Sequence, residues 1–157
     1  SIEEVIAGEI LWGATKSLIN SAIVLVVIIA FGLVTVTPPS FLLILPLSFL
    51  VGLMFSSLAM CFTAVTPNID AFNYPAFLFI TPMFILSGTF FPITELPYAV
   101  QVFANIFFPL THSVALTRAL TTLQLSPFLL LNLAWLLATA PFFFVLSINM
   151  MKKRLIK

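Results

Sequence analysis

Apolar residues run in long stretches along this chain, broken by short polar or proline-bearing segments. No residue from Ser17 to Ile69 carries a formal charge, and charge-free runs also extend from Ala71 to Thr94 and from Ala119 to Met151. Spans are predicted at about Thr15–Val34, Phe41–Ala64, Phe72–Phe91 and Pro127–Met150. Each holds roughly 20 residues or more, enough at about 1.5 Å per residue to cross a hydrocarbon core of about 30 Å. Ahead of them, Val5, Ile6, Ile10 and Leu11 recur near helical spacing among Glu3, Glu4 and Gly8. That pattern predicts a short amphipathic helix over Ser1–Trp12 at a membrane surface, with Lys16 at the edge of the bilayer.

The breaks have their own chemistry. Pro38-Pro39 removes two backbone donors and favours extended chain between the first two spans. Thr66-Pro67-Asn68-Ile69-Asp70 reads as a polar turn. Pro82, inside the third span, predicts a kink. From Pro92 to Ser126, prolines at 92, 97, 109 and 127 divide the chain into pieces too short to cross. Pro97–Phe108 would be about 18 Å long as a helix. It carries Gln101 and Asn105 one turn apart, and Ser113–Leu123 puts Thr117, Arg118, Thr121 and Thr122 on one side. We read residues 92–126 as a re-entrant helical pair, which needs protein or a wet cavity around it. The fold class is therefore an all-α membrane protein with about four transmembrane helices, a re-entrant pair before the last span and an amphipathic N-terminal helix.

Composition agrees with this picture. Eleven of 157 residues are charged and 62% are hydrophobic, whereas a soluble domain carries roughly a quarter charged residues. A mid-bilayer charge costs on the order of 2.5–3.5 kcal/mol on insertion scales, so lipid selects such runs. The net charge of +1 reveals little about partners, and no nucleic-acid partner is expected. Four spans put both ends on one side, where Lys16, Lys152, Lys153, Arg154 and Lys157 gather and Arg118 does not. The positive-inside rule makes that side cytoplasmic. The chain starts Ser-Ile-Glu-Glu, without Met or a signal peptide's basic segment, and so reads as the interior of a longer protein.

Candidate chemistry is sparse. No phosphate-binding Gly-x-x-x-x-Gly-Lys loop, His-Glu-x-x-His motif or cysteine pair occurs, and no metal site is expected. Cys61 fits a small buried apolar residue. His112, the sole histidine, sits where structural histidines commonly do. Asp70 and Glu95 belong to solvated loops, which leaves no carboxylate series for a proton relay. Ser48, Gly52 and Ser56 recur every four residues; they either let another helix approach closely or are the small residues common in membrane helices. Asn20, Ser21 and Thr63 either line a path or pair across helices.

The order Ser57-Leu58-Ala59-Met60, Thr63-Ala64, Pro67, Thr81-Pro82-Met83-Phe84 and Leu86-Ser87-Gly88-Thr89-Phe90-Phe91-Pro92 resembles permeases of the type-2 ABC exporter family. Within that family it is most similar to the nodulation protein J group. Glu95-Leu96-Pro97, Pro109-Leu110-Thr111-His112-Ser113, Arg118-Ala119-Leu120 and the tail Lys152-Lys153-Arg154-Leu155 continue the likeness, which is most specific from Thr81 to Arg118. The resemblance implies a six-span permease of the bacterial inner membrane, of which this chain supplies the last four spans. It implies a homodimer among membrane lipids, joined to a separate ABC ATPase subunit that binds ATP and Mg, and no cofactor or catalysis in this chain. The cargo would be an amphiphile: a lipo-oligosaccharide, a polysaccharide, a lipid or a drug. Residues 1–13 would be the coupling helix, with Glu3, Glu4, Glu9 and Trp12 as ATPase contacts, or else an ordinary solvated helix. Gln101, Asn105, His112 and Arg118 would stand near an extracytoplasmic gate. The rival functions are an ion-coupled secondary transporter and a non-transporting membrane assembly subunit.

Overall fold

A computed structural model describes residues 1–32, 38–68, 70–87, 93–122 and 127–156, and these form helices and turns without a strand. Helix α1 spans Ile2–Ala30. Ser1 caps it: the Ser1 Oγ accepts the Glu4 N–H and the Glu4 carboxylate accepts from the Ser1 amino group, both at 3.3 Å. This reciprocal box satisfies donors that a helix start leaves open. Gly32, with φ of 68°, closes the helix in the left-handed region that glycine adopts freely.

The expected surface helix and first span are therefore one continuous helix of 29 residues, about 43 Å long at 1.5 Å per residue. Nothing between Trp12 and Ser17 breaks it, because extending a formed helix is easier than ending one and starting another. The Thr15 hydroxyl donates to the Leu11 carbonyl within the same helix. Lys16 consequently lies midway along α1, with its Nζ 5.3 Å from the centre of the Trp12 ring.

Helix α2 spans Pro38–Val65. The paired prolines do not form an extended linker; they occupy the first turn of α2, where a missing N–H costs nothing and φ is already helical. The polar turn after α2 is present: the Thr66 hydroxyl donates to Phe62 and the Asn68 side chain accepts from the Ala71 N–H at 2.8 Å. Asp70 and Glu95 are both exposed.

The third expected span is irregular. A 3₁₀ turn at Asp70–Phe72, an α-turn at Asn73–Pro75, a π-turn at Ala76–Ile80 and helix α3 at Thr81–Leu86 follow one another. The wide π-turn falls directly before Pro82, whose ring and absent N–H a regular helix cannot accommodate. The expected upper end of this span, including Gly88–Pro92 of the family-like stretch, lies outside the described residues, as do Val34, Leu123–Ser126 and Lys157. After a 3₁₀ turn at Ile93–Glu95, helices α4 (Tyr98–Phe107) and α5 (Pro109–Thr122) meet at a 98° bend. Helix α6, Phe128–Leu155, closes the chain. Three helices, Ile2–Ala30, Leu42–Val65 and Leu129–Leu155, are long and apolar enough to cross a membrane, and the bent pair is a broken span or a re-entrant loop by its geometry.

Two contacts fix the polarity of the bundle. Lys152 Nζ lies 2.5 Å from Glu3 Oε1, and the Arg154 guanidinium donates to the Thr63 carbonyl. The start of α1 and the ends of α2 and α6 therefore share one end, here the basic end. Leu47, Met54, Leu116, Leu136 and Ala140 form the buried core between α2, α5 and α6. Large apolar side chains such as Ile23, Val26, Leu42, Leu131 and Phe142 stay exposed, as suits a body solvated by lipid.

Candidate functional site

Small residues bring α1 and α2 together. Ser17 Oγ donates to the Ser48 carbonyl at 3.1 Å. A Cβ on Gly52 would stand 2.5 Å from Ser17 Cβ and 3.0 Å from the backbone Cα of Ala14, and one on Gly13 would land on the Ser56 hydroxyl. Ser48, Gly52 and Ser56 thus face Gly13, Ala14 and Ser17 in a close seam of the kind lipid-embedded helices use. The complementary stripe on α1 was missed in the sequence reading, although Gly13 and Ser17 carry the same four-residue spacing.

Beside this seam opens a groove of about 490 Å³. Helix α1 contributes Ser17, Asn20, Ser21, Val24, Leu25 and Ile28; α2 contributes Ile44, Leu47, Ser48 and Val51; α5 contributes Leu110, Ser113, Val114, Thr117 and Arg118. Arg118 is the one charged residue of this lining among the described residues. The groove thus unites Asn20, Ser21, Ser48 and Arg118, which the sequence placed in three separate roles. Thr63 is elsewhere: it sits at the basic end, with its hydroxyl on the Ala59 carbonyl and its own carbonyl on Arg154.

The groove's hydroxyls have a direction. Ser48 donates to Ile44, Ser113 to Pro109 and Thr117 to Ser113, each to a carbonyl one turn back at 2.8, 3.1 and 2.8 Å. Their protons are committed, so the oxygens that remain are acceptors. A ligand that donates from hydroxyl or amide groups matches this wall, and Val24, Leu25, Ile28 and Ile44 offer it an apolar flank.

A polar knot holds the bend between α4 and α5. Gln101 donates to the Leu96 carbonyl at 2.8 Å, closing the turn before α4, and Asn105 donates to the Gln101 carbonyl at 2.9 Å. The buried His112 places Nε2 2.7 Å from the Asn105 carbonyl and Nδ1 2.7 Å from the Asn132 side-chain amide of α6. Its ring stacks on Trp135 with centroids 4.3 Å apart. A carbonyl only accepts, so Nε2 carries a proton. On the other side of the ring, Nδ1 faces Asn132 Oδ1. Of the four gate candidates, Gln101, Asn105 and His112 form one chain of contacts, and Arg118 lies on the groove instead. Sequence reasoning did not find Asn132 or Trp135, since nothing local to α6 marks them.

At the basic end, Glu3 pairs with Lys152 and Glu4 belongs to the helix cap, while Glu9 and Trp12 are exposed on α1. Cys61 is buried, its Sγ 4.0 Å from the Phe143 carbonyl. Among the described residues no group of His, Cys, Asp and Glu is arranged to hold a metal ion.

Long apolar helices and a bent helical pair mark a multi-pass membrane protein. More narrowly, residues 1–122 match the model of the ABC-2 type transporter family, and the chain belongs to that family. It is 33% identical to nodulation protein J of Sinorhizobium fredii (strain NBRC 101917 / NGR234) over 156 residues, covering 99% of this chain and 58% of that protein. It is 41% identical to nodulation protein J of Rhizobium leguminosarum bv. trifolii over 115 residues, 73% of this chain and 43% of the relative. The match to nodulation protein J of Bradyrhizobium diazoefficiens (strain JCM 10833 / BCRC 13528 / IAM 13628 / NBRC 14792 / USDA 110) is 32% over 157 residues, 100% of this chain and 59% of the relative. The chain thus spans little more than half the length of these relatives. No solved structure matches it.

Proposed function

We propose that this chain is part of the permease of an ATP-driven exporter and that the groove between α1, α2 and α5 takes an amphiphile. The observation that carries the reading is the groove's two-sided chemistry. Committed hydroxyls at Ser48 and Ser113 present acceptors to a hydroxyl-rich or amide-bearing head, while Leu25, Ile28 and Ile44 flank an apolar tail. A lipo-oligosaccharide has both parts.

Hydrolysis of ATP belongs to a separate ABC ATPase subunit, which binds ATP and Mg; this chain binds no cofactor and does no catalysis. The basic end faces the bacterial cytoplasm, so both described termini lie on that side, and the ATPase docks against the start of α1 through Glu3, Glu4, Glu9 and Trp12. A second permease copy completes the pathway within the membrane lipid. A ligand moves the equilibrium between two states only by binding them unequally, so ATP closure must act on contacts at this end.

Affinity purification of the full gene product, with its neighbouring ATPase co-expressed, is expected to bring the ATPase down in stable association. Glu9→Lys combined with Trp12→Ala is expected to weaken that association by about tenfold, roughly 1.4 kcal/mol. Full recovery of the ATPase with this double variant would remove the start of α1 as the docking site.

A further inference from the structure

We propose that His112 is the joint through which α6 sets the position of the bent pair, its Nε2–H replacing the N–H that Pro109 lacks. The logic starts at the backbone. Asn105 lies in the last turn of α4, whose carbonyls have no partner within the helix, and the residue four on is Pro109, which has no N–H to offer. The pair bends where Phe108 goes extended, at φ −104° and ψ 109°. Phe108 is buried with Met83 and Ala104 and packs against Phe55 and Phe79, so the bend is in an apolar setting. A carbonyl left without a donor in such a setting is unfavourable.

His112 Nε2 answers that carbonyl at 2.7 Å from one turn into α5. The opposite nitrogen reaches Asn132 and the ring face lies on Trp135, so the same side chain is clamped to α6. One residue therefore completes the bend and fastens it to the last span. The far end of α6 is tied to α1 by Lys152–Glu3 and to α2 by Arg154–Thr63. Helix α6, with Pro141 inside it, thus runs from the bent pair at one end to the basic end of the bundle at the other. The purpose of the joint, carrying motion from the ATPase side to the gate, rests on the transport reading; the joint itself does not.

The test uses the full gene product in detergent, without ATP or cargo. Cys61 is replaced by Ala, and spin labels are placed on the exposed positions Val102 of α4 and Leu131 of α6. His112→Leu is expected to lower the melting temperature by about 5 °C, the loss of one buried hydrogen bond in a chain of this size, and to broaden the label-to-label distance. Adding Pro109→Ala restores an N–H at 109, so the double variant is expected to regain most of the melting temperature while the distance stays broad. Asn132→Leu alone is expected to broaden the distance with a smaller thermal loss. If His112→Leu does not accumulate, the double variant and Asn132→Leu carry the same comparison. An unchanged distance in His112→Leu or Asn132→Leu overturns the joint, and no thermal gain from Pro109→Ala overturns the replacement of its N–H. Because the test uses neither ATP nor cargo, its outcome does not depend on the transport reading.

Discussion

Gly52→Leu is expected to abolish the folded bundle, with a cost of about 3 kcal/mol or more for forcing volume into a filled contact. The glycine faces α1 where a single added Cβ would already stand 2.5 Å from Ser17 Cβ, 2.9 Å from Ser17 Oγ and 3.0 Å from the Ala14 Cα. The serine can rotate its hydroxyl away, but the Ala14 backbone cannot yield unless the helix moves. Moving it breaks the hydrogen bond from Ser17 to the Ser48 carbonyl and loosens Gly13 from Ser56. Lipid offers little hydrophobic drive to bring the helices back, because tails are as apolar as leucine. Gly8→Leu is the control, since nothing lies within 4 Å of a Cβ there. Size-exclusion profiles and thermal melts in detergent are expected to show loss for Gly52→Leu and none for Gly8→Leu. Equal stability of the two variants would mean that α1 and α2 do not meet through this seam.

Ser21→Trp is expected to cut export at least about tenfold, roughly 1.4 kcal/mol, while leaving the melting temperature near that of the parent. Ser21 is half-buried on α1 and lines the groove with Asn20, Ser48 and Arg118. An indole placed there occupies space that the cargo needs and meets no backbone of the α1–α2 seam, which lies at Gly13, Ala14 and Ser17. The pair of readouts separates the cases. Lost export with a lost melting transition is damage to the bundle, and normal export at normal stability removes the groove from the pathway.

Much of the fold was legible in the sequence because lipid imposes strict rules. The charge-free runs before Val65 and before Lys152 became α2 and α6, and the prolines at 97 and 109 marked the ends of α4 and its junction with α5. The continuity of α1 was not legible. Glu3, Glu4, Glu9 and Lys16 suggested a water-facing piece, but charge reports solvent, and whether a helix continues depends on breakers that the chain lacks there. Pro38-Pro39 misled for a related reason, since proline ends one helix and starts another equally well. The site was legible residue by residue and not as an assembly. Asn20, Ser48 and Arg118 stood out as polar groups in apolar stretches, yet only the register of α1, α2 and α5 joins them in one groove. His112 was visible as a lone histidine, whereas its partner Asn132 is 20 residues away on another helix.

The central claim is that this chain belongs to a conduit driven by a partner's ATP. Its most direct test is transport by the full gene product, reconstituted into vesicles with its ATPase and a fluorescent lipo-oligosaccharide. The account predicts movement of the lipid across the bilayer that requires ATP and Mg and is indifferent to a proton gradient. Movement driven by a proton gradient without ATP, or none in the intact complex with ATP present, would contradict it.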